Sequence, residues 1–568
     1  MRTRILCIFL LLFVGLGSIA TKLFIVQVHQ RDRLVERANR QYQRFVPIVS
    51  RRGTVFDRAG RELAVSLRVN SVFAQPAGVP EPAAAARALA PILEQPAREI
   101  QARLAADKPF VWLRRQLAPA PAAAIRELNL KGIGLTPESR RFYPRDELAS
   151  HVLGFVGLDE RGLEGIEHQY DDLLGGKPQF IEAQQDALGR LIARQAEPEP
   201  RTPIFDLYLT LDEVIQYTAE RELARAVERS RAKGGTVIVM NPATGEILAL
   251  ASQPSFDPNG FRAAPGASRR NRAVTDFFEP GSIFKVILAA GAVEEGVVRP
   301  TDRFHGEGGA IEVGGVTIRD HEKYGWMTVR EILAHSSNVG SIKIGQKLGK
   351  SLYYHYISGF GFGTLSGVDL PGETPGIIRR PKGWSALSLP VLSLGQEISV
   401  TPIQFATAFS AVANGGVLMR PHVVKALRSQ DGGVERVVEP VAVRRVISAE
   451  TARTVLEMLT AVVEEGTGKD AGLPEHRVAG KTGTAQKVDP ITGRYSHRRV
   501  VASFVGAVPA EAPRAVILVT IDDPETHRWG AAIAAPTFRE IARDVVQYLK
   551  VPPSPSQNLR VVRAGLVR

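Results

Sequence analysis

The stretch Ile5 to Val26, "ILCIFLLLFVGLGSIATKLFIV", limits most strongly what this chain can fold into. Its first sixteen residues are uncharged, and apolar residues resume after Thr21-Lys22. As one helix it extends about 33 Å at ~1.5 Å per residue, enough for a bilayer core if Lys22 carries its ammonium to the interface. A cleaved leader is the rival reading, because Ser18-Ile19-Ala20 resembles a small-x-small cleavage site. Apolar residues continue past that site, so an uncleaved anchor is expected. Arg2 and Arg4 on one flank and Arg31, Arg33 and Arg37 on the other leave its orientation unset by charge. No second span is expected, which would put the rest of the chain on one side of the membrane.

At 568 residues the chain exceeds what one core organises, so two or three domains are expected. The net charge of +13 is spread, with Arg beside Asp and Glu and no dense basic run. An anionic envelope or membrane surface explains that charge without a nucleic-acid partner, and none is expected. Cys7 is the sole cysteine, which rules out an intramolecular disulfide and a cysteine metal cluster. His321-Glu322 begins like the zinc pattern H-E-x-x-H, but Gly325 stands where the second histidine belongs. Neither a metal nor a cofactor is expected.

A polar, Arg-rich helical stem is predicted to about Arg44, then a mixed segment to about residue 200 whose Ala/Pro-rich part (80–125) reads as short surface helices. "AEPEPRTP" (196–203) reads as a linker or exposed loop. From Asp212, Ile215, Ala219, Leu223 and Val227 recur four apart, an amphipathic helix. "GGTVIVMNPATGEILALAS" reads as a hairpin, "RAVILVTID" as a buried strand, and "APTFREIARDVVQYLK" as a closing helix. Strands at both ends of residues ~232–550, with a long helical middle, give an α+β domain whose sheet joins both ends. The last sixteen residues read as a loose tail.

Within that domain, "FFEPGSIFKVILAAG" (277–291) places Ser282 and Lys285 three apart, on one face at the start of an apolar helix. Alone, such a pair reads as a capping serine and a lysine snorkelling to water. Two further motifs decide against that. "AHSSNVGSIKIG" supplies Ser336-Ser337-Asn338, and "VAGKTGTAQK" supplies Lys481-Thr482-Gly483-Thr484. S-x-x-K, S-x-N and K-T-G in this order is the pattern of penicillin-binding proteins and class A β-lactamases. A P-loop reading of "AGKTGT" fails, because Glu475 stands where its first glycine is required.

The residue types suit acyl transfer. A serine hydroxyl is a poor nucleophile until a base takes its proton, and Lys285 can take it only when neutral, a state favoured by burial and by the like charge of Lys481. Ser336 can pass a proton onward, and the Asn338 amide can hold lysine or substrate. Lys481, Thr482 and Thr484 can bind a carboxylate, and Gly483 would let a peptide approach the strand edge closely.

The chain resembles the class B penicillin-binding proteins, membrane-anchored peptidoglycan D,D-transpeptidases. "RRGTVFDRAGRELAVS" (51–66), "RFYPRDELASHVLGFVG" and "GLEGIEHQYDDLLGG" are similar to the family's pedestal motifs. "MNPATGEILALASQPSFDPN", "NRAVTDFFEPGSIFK" and "LSLGQEISVTPIQFATAFSAVANGG" are similar to its catalytic-domain stretches, and "KTGTAQKVDPITGRYSHRRVVASFVGAVPA" to its division-type (septal) branch. Ile283 departs from the usual Thr, between the catalytic residues.

The resemblance implies a cytoplasmic stub (1–4), a transmembrane anchor (5–27), an elongated pedestal of dimerisation type (28–205), a penicilloyl-serine transferase domain with a central antiparallel sheet and an all-helical subdomain (206–552), and a tail (553–568). It further implies Ser282 as nucleophile, Lys285 as base, Ser336 with Asn338 as proton relay, and Lys481, Thr482 and Thr484 on the substrate carboxylate. The Ser282 and Thr484 N–H groups are the implied oxyanion hole. Arg52, Gly53, Asp57, Arg58, Gly60 and Glu164 are expected to brace the interdomain junction.

Implied partners are stem peptides ending in D-Ala-D-Ala, β-lactams, the inner membrane, a separate SEDS-family glycosyltransferase and division proteins. The implied location is the inner membrane at midcell, with a periplasmic catalytic domain. An elongation-type transpeptidase, a DD-carboxypeptidase or a β-lactamase or sensor would share the triad. A silent division scaffold is the alternative from another class.

Overall fold

The protein is described from a computed structural model covering residues 2–35, 43–48, 51–176, 179–185, 191–193, 203–433, 435–489 and 492–555. The linker 196–202 and the tail beyond 555 lie outside these residues. The chain divides into two compact units, residues 1–51 with 175–203, and residues 52–174 with 204–568.

In the first unit, Arg2–Phe24 is a single helix continued by a π-helical turn, Ile25–His29. The segment 4–29 is long and apolar enough to cross a membrane, with mean hydropathy 2.3. The predicted helical stem does not reach Arg44, because Gln43–Ile48 is a strand paired antiparallel with Gln179–Gln185, which in turn pairs with Leu191–Ala193.

In the second unit a five-stranded antiparallel sheet runs, in spatial order, Ile247–Gln253, Gly234–Met240, Ala515–Asp522, Tyr495–Val508, Ala479–Val488. The predicted hairpin therefore joins the predicted late strand at the centre, and the K-T-G segment is an edge strand. Both faces are covered, which is why Gly234–Met240 is buried throughout. Val237, Val239, Phe504 and Ile517 pack against helices Glu213–Ser230 and Ala534–Tyr548. Ile238, Met240, Val505 and Leu518 face the core formed with helices Lys285–Glu294, Pro402–Ala413 and Ala449–Glu464. Asp212 caps helix Glu213–Ser230, accepting from Val214 N–H at 3.0 Å.

A second sheet carries the pedestal into the catalytic domain. Phe205–Leu209 pairs in parallel with Val55–Phe56 and antiparallel with Val424–Ser429. The sheet continues through Glu62–Ala74 to Val111–Leu117 and Ile133–Phe142. The boundary expected at 205/206 thus falls inside one continuous sheet. The Ala/Pro-rich helices, Pro82–Leu93, Ala97–Leu104 and Pro119–Glu127, bury Leu89, Leu93, Ile100, Leu104 and Ile125 in a small core of their own, so they are more than surface helices. Residues 551–555, partly assigned to a loose tail, are anchored: Ser554 is buried and its N–H donates to the Glu475 carbonyl at 2.9 Å.

The junction is held by a buried carboxylate. Glu167, with no exposed surface, accepts from Arg52 Nε and Arg141 Nε, each at 2.6 Å. Arg52 also reaches Asp171 at 2.6 Å, and Arg141 the Gly53 carbonyl at 2.7 Å. A Cβ on Gly53 would lie 1.9 Å from the Phe205 carbonyl oxygen, so this strand crossing admits only glycine. Asp57 accepts from the Ala59, Arg61 and Glu213 amides, tying the turn to the first catalytic-domain helix. Arg58 donates its N–H to the Leu211 carbonyl at 2.9 Å, and Gly60 (φ +86°) closes the turn. Glu164 lines a separate cavity of about 280 Å³ together with Arg269.

Leaving two guanidinium groups without their shared anion in a buried site costs about 3–5 kcal/mol. Glu167→Gln is therefore expected to lower the unfolding temperature by several degrees. Asp159→Asn, at the exposed end of the Arg115 pair, should change it by under about 1 °C, since exposed pairs contribute little. Thermal unfolding of the detergent-solubilised full chain, followed by circular dichroism, checks both.

Candidate active site

Three segments that are far apart in sequence meet beside the edge strand. Ser282 lies in a 3₁₀ turn, Gly281–Phe284, that runs straight into the helix beginning at Lys285. Gly281 takes φ +57° and donates its N–H to the Gly395 carbonyl at 2.9 Å. Phe278 and Val400 exchange two backbone hydrogen bonds at 2.9 Å. The "LSLGQEISV" stretch therefore pins the turn that presents Ser282.

Lys285 is 1% exposed. Its Nζ donates to the Ser336 carbonyl at 2.7 Å, to Asn338 Oδ1 at 2.8 Å and to Ser336 Oγ at 3.4 Å. Ser336 takes φ +58°, a conformation costing a non-glycine residue roughly 1–3 kcal/mol and concentrated at functional sites. Ser337 then caps helix Asn338–Leu348 by accepting from Gly340 N–H at 3.0 Å. These bonds of Lys285 all run to the 336–338 loop.

Lys481, with no exposed surface, points its Nζ at the Thr482 carbonyl, 3.1 Å away. Burial lowers the pKa of Lys285 to about 7, against a smaller upward pull from Asp320. Burial, with Lys285 adding repulsion, lowers that of Lys481 as well. Two buried amines side by side cannot both hold a proton cheaply. Lys285 has three acceptors and Lys481 one, so Lys481 is the first to give its proton up.

The rest of the K-T-G segment is tied to its surroundings. Thr482 Oγ1 lies 2.7 Å from Thr467 Oγ1, and Thr484 Oγ1 accepts from Gly530 N–H at 3.0 Å, leaving its own hydroxyl proton free to donate. A Cβ on Gly483 would come within 2.4 Å of Ser503 Oγ and 3.1 Å of the Pro280 carbonyl oxygen. The crowding that demands glycine there lies inside the protein, between strand and serine turn, rather than at an incoming peptide. Ile283, buried, fills the space under Gly483. A cleft of about 520 Å³ opens over Ser282, Asn338 and Thr484, bounded by Gln396, Arg528 and Trp529.

All eight residues singled out in sequence are thus gathered at one place. Asp320, His321, Thr467 and Trp529 join them. Asp320 accepts from Ser337 Oγ at 2.7 Å, from Val339 N–H at 3.2 Å and from Asn338 N–H. His321 stands edge-on to the half-exposed Trp529, ring centroids 5.0 Å apart. None sits in one of the three motifs, although "EEGTGK" around Thr467 carries a turn signature. Among the described residues no group of His, Cys, Asp and Glu could hold a metal.

A serine at a helix start, a buried amine, a serine-asparagine loop and an edge strand make up the motif set of the penicillin-recognising class. Residues 235–543 match the penicillin binding protein transpeptidase domain, and residues 47–209 the penicillin-binding protein dimerisation domain. The chain belongs to the penicillin-binding proteins, in their class B branch. It is 35% identical to stage V sporulation protein D of Bacillus subtilis, over 98% of this chain and 87% of that one. It is 34% identical to the peptidoglycan D,D-transpeptidase FtsI of Escherichia coli, over 96% and 91%. Penicillin binding protein 3 of Mycobacterium tuberculosis, solved with aztreonam, superposes with a TM-score of 0.70 at 30% identity, covering 90% of this chain and 98% of that one.

The backbone contact under Ser282 gives a sharp test. A Cβ on Gly395 (φ +77°) would lie 2.1 Å from the Gly281 carbonyl oxygen. Gly395→Ala is expected to displace the Ser282 turn and cut penicillin acylation at least about tenfold, while a strain of about 1–3 kcal/mol leaves the chain folded. Stopped-flow acylation with a fluorescent penicillin, beside a melting curve, reads both.

Proposed function

We infer that this chain is a membrane-anchored peptidoglycan D,D-transpeptidase that cross-links stem peptides through a Ser282 acyl-enzyme. The observation carrying the reading is the buried Lys285 amine, held 2.7–2.8 Å from Ser336 and Asn338 and one turn from Ser282. Ser282 Oγ attacks the carbonyl of the penultimate D-Ala as its proton passes to Lys285. The Ser282 and Thr484 N–H groups receive the oxyanion, a contribution on the order of 3 kcal/mol per donor in other enzymes. Ser336, steadied by Asn338, relays a proton to the departing D-Ala nitrogen, and the amide bond breaks to leave an ester on Ser282. The amine of a second stem peptide attacks that ester, forms the cross-link and frees the serine. Thr482 and Thr484 bind the terminal carboxylate, whose negative charge favours the ammonium form of Lys481, the proton being taken up from water as the substrate binds. The charge expected on Lys481 therefore belongs to the substrate complex.

The same reading puts the chain in septal synthesis, its catalytic domain in the periplasm and a separate SEDS-family glycosyltransferase and division proteins beside it. The support is the apolar helix ahead of the catalytic unit and the likeness of residues 481–510 to the division branch. A DD-carboxypeptidase would use the same residues with water as acceptor. The anchored pedestal favours the transpeptidase.

Arginine at 285 keeps a cation but cannot accept a proton near neutral pH. Lys285→Arg is expected to lose penicillin acylation by roughly 10²-fold or more, the range that general-base catalysis supplies. Lys481→Arg should lose less, and Ser282→Ala should not label. In living cells, a fluorescent penicillin that does not cross the inner membrane should label the wild type at midcell. Acylation of Lys285→Arg at the wild-type rate would mean that the base lies elsewhere. Labelling only after lysis of the inner membrane would reverse the topology, and lateral-wall labelling would indicate the elongation branch.

A further inference from the structure

The sequence motifs leave Asp320 out, yet its carboxylate is the hub of the loop that holds Lys285. It is delivered there by a small hairpin, Ala310–Val313 paired with Val316–Arg319. The Asp320 N–H donates to the Gly309 carbonyl at 2.9 Å. Gly309 takes φ +87°, and a Cβ on it would meet the Glu322 carbonyl oxygen at 2.6 Å, so the hairpin base has little freedom. Its neighbour Arg319 accepts from Asn338 Nδ2 at 2.8 Å, which turns Asn338 Oδ1 toward Lys285.

Asp320 thus contacts three successive residues, Ser337, Asn338 and Val339, at the first turn of helix Asn338–Leu348. The residue before them, Ser336, gives its carbonyl to Lys285 from a strained conformation. A carboxylate accepting from helix-end N–H groups is favoured by their partial positive charge.

Resting on the reading of Lys285 as the base, we propose that Asp320 is a positioning residue: it fixes the 336–338 turn against the Lys285 amine and supplies the anionic charge that this amine faces. Among the described residues the charged group that bears on Lys285 is Asp320, from the hairpin, while Lys285 itself bears on Lys481, from the edge strand. Asp320 is itself faced by the Tyr324 hydroxyl. His335, next to Ser336 in sequence, acts instead on Glu331 and Glu465. Asp320 pulls the Lys285 pKa upward against burial, so removing its charge lets Lys285 become neutral at lower pH. A residue that only capped the helix would change how much protein folds and how well the loop is held, but not where the base titrates.

The test is the rate constant of acylation by a fluorescent penicillin, measured from pH 5 to 9 on the full chain in detergent. Wild type is expected to show a rate that rises with pH through an acid limb near neutrality. In Asp320→Asn the limb should move to lower pH by about half to one unit, less than the roughly 1–3 units that an adjacent opposite charge can give, because Asp320 is partly exposed. Its plateau should fall several-fold. Asp320→Glu should restore the position of the limb even where the plateau stays low. Asp320→Ser, a second neutral acceptor, replaces Asp320→Asn if that variant does not fold, with the same shift expected. A limb that stays put or moves upward in the neutral variants overturns the proposal, whatever happens to the plateau. A wild-type profile with no acid limb removes Lys285 as the base, and this proposal with it. That signature is distinct from an unmoved limb.

Discussion

Everything at this site depends on an amine kept away from water. Lys285 begins a helix whose next seven residues are all buried, so its side chain has no route to solvent and must find partners inside. The partners come from a loop more than fifty residues downstream, bent into a conformation that serine resists, and from the Asn338 amide. Lys481 enters the same interior from the edge strand, where burial and the charge of Lys285 both favour its neutral form. The sheet, the helical layer and the 336–338 loop must be assembled together for either amine to be buried. In this way the apolar core sets the chemistry: desolvation, rather than a neighbouring base, brings a lysine into the range where it can accept a serine proton.

The pedestal is joined to this core through the same kind of constraint. Glu167 is enclosed between Arg52 and Arg141, and Gly53 lets two backbones cross where a methyl group would collide. Because strand Phe205–Leu209 pairs with pedestal on one edge and catalytic domain on the other, the two share main-chain hydrogen bonds as well as side-chain contacts. Arg52, Gly53, Asp57 and Arg58 thus bond across or abut the strand crossing and the first catalytic-domain helix, and Gly60 closes their turn.

Much of the fold was legible because its signals are local. The four-residue spacing from Ile215 and the turn in "NPATG" specify a helix and a hairpin without help from the rest of the chain. The three motifs were legible because acyl transfer needs those residue types in that order. What escaped was set by distant contacts. Gly483 looked like an opening for substrate, but its neighbours Ser503 and Pro280 come from other segments. Asp320 and Thr467 carry no motif, and only folding brings them to Ser337 and Thr482. The shared sheet was invisible because a parallel pairing between residues 55 and 207 leaves no periodic trace in either segment.

Burial brings the Lys285 amine to the point of giving up its proton near neutral pH. Its titration can be followed directly by the ¹³Cε resonance of lysine in isotopically labelled full-length protein, assigned by its loss in Lys285→Arg. The expected midpoint is near 7. A midpoint above about 9, close to that of a lysine in water, would contradict it.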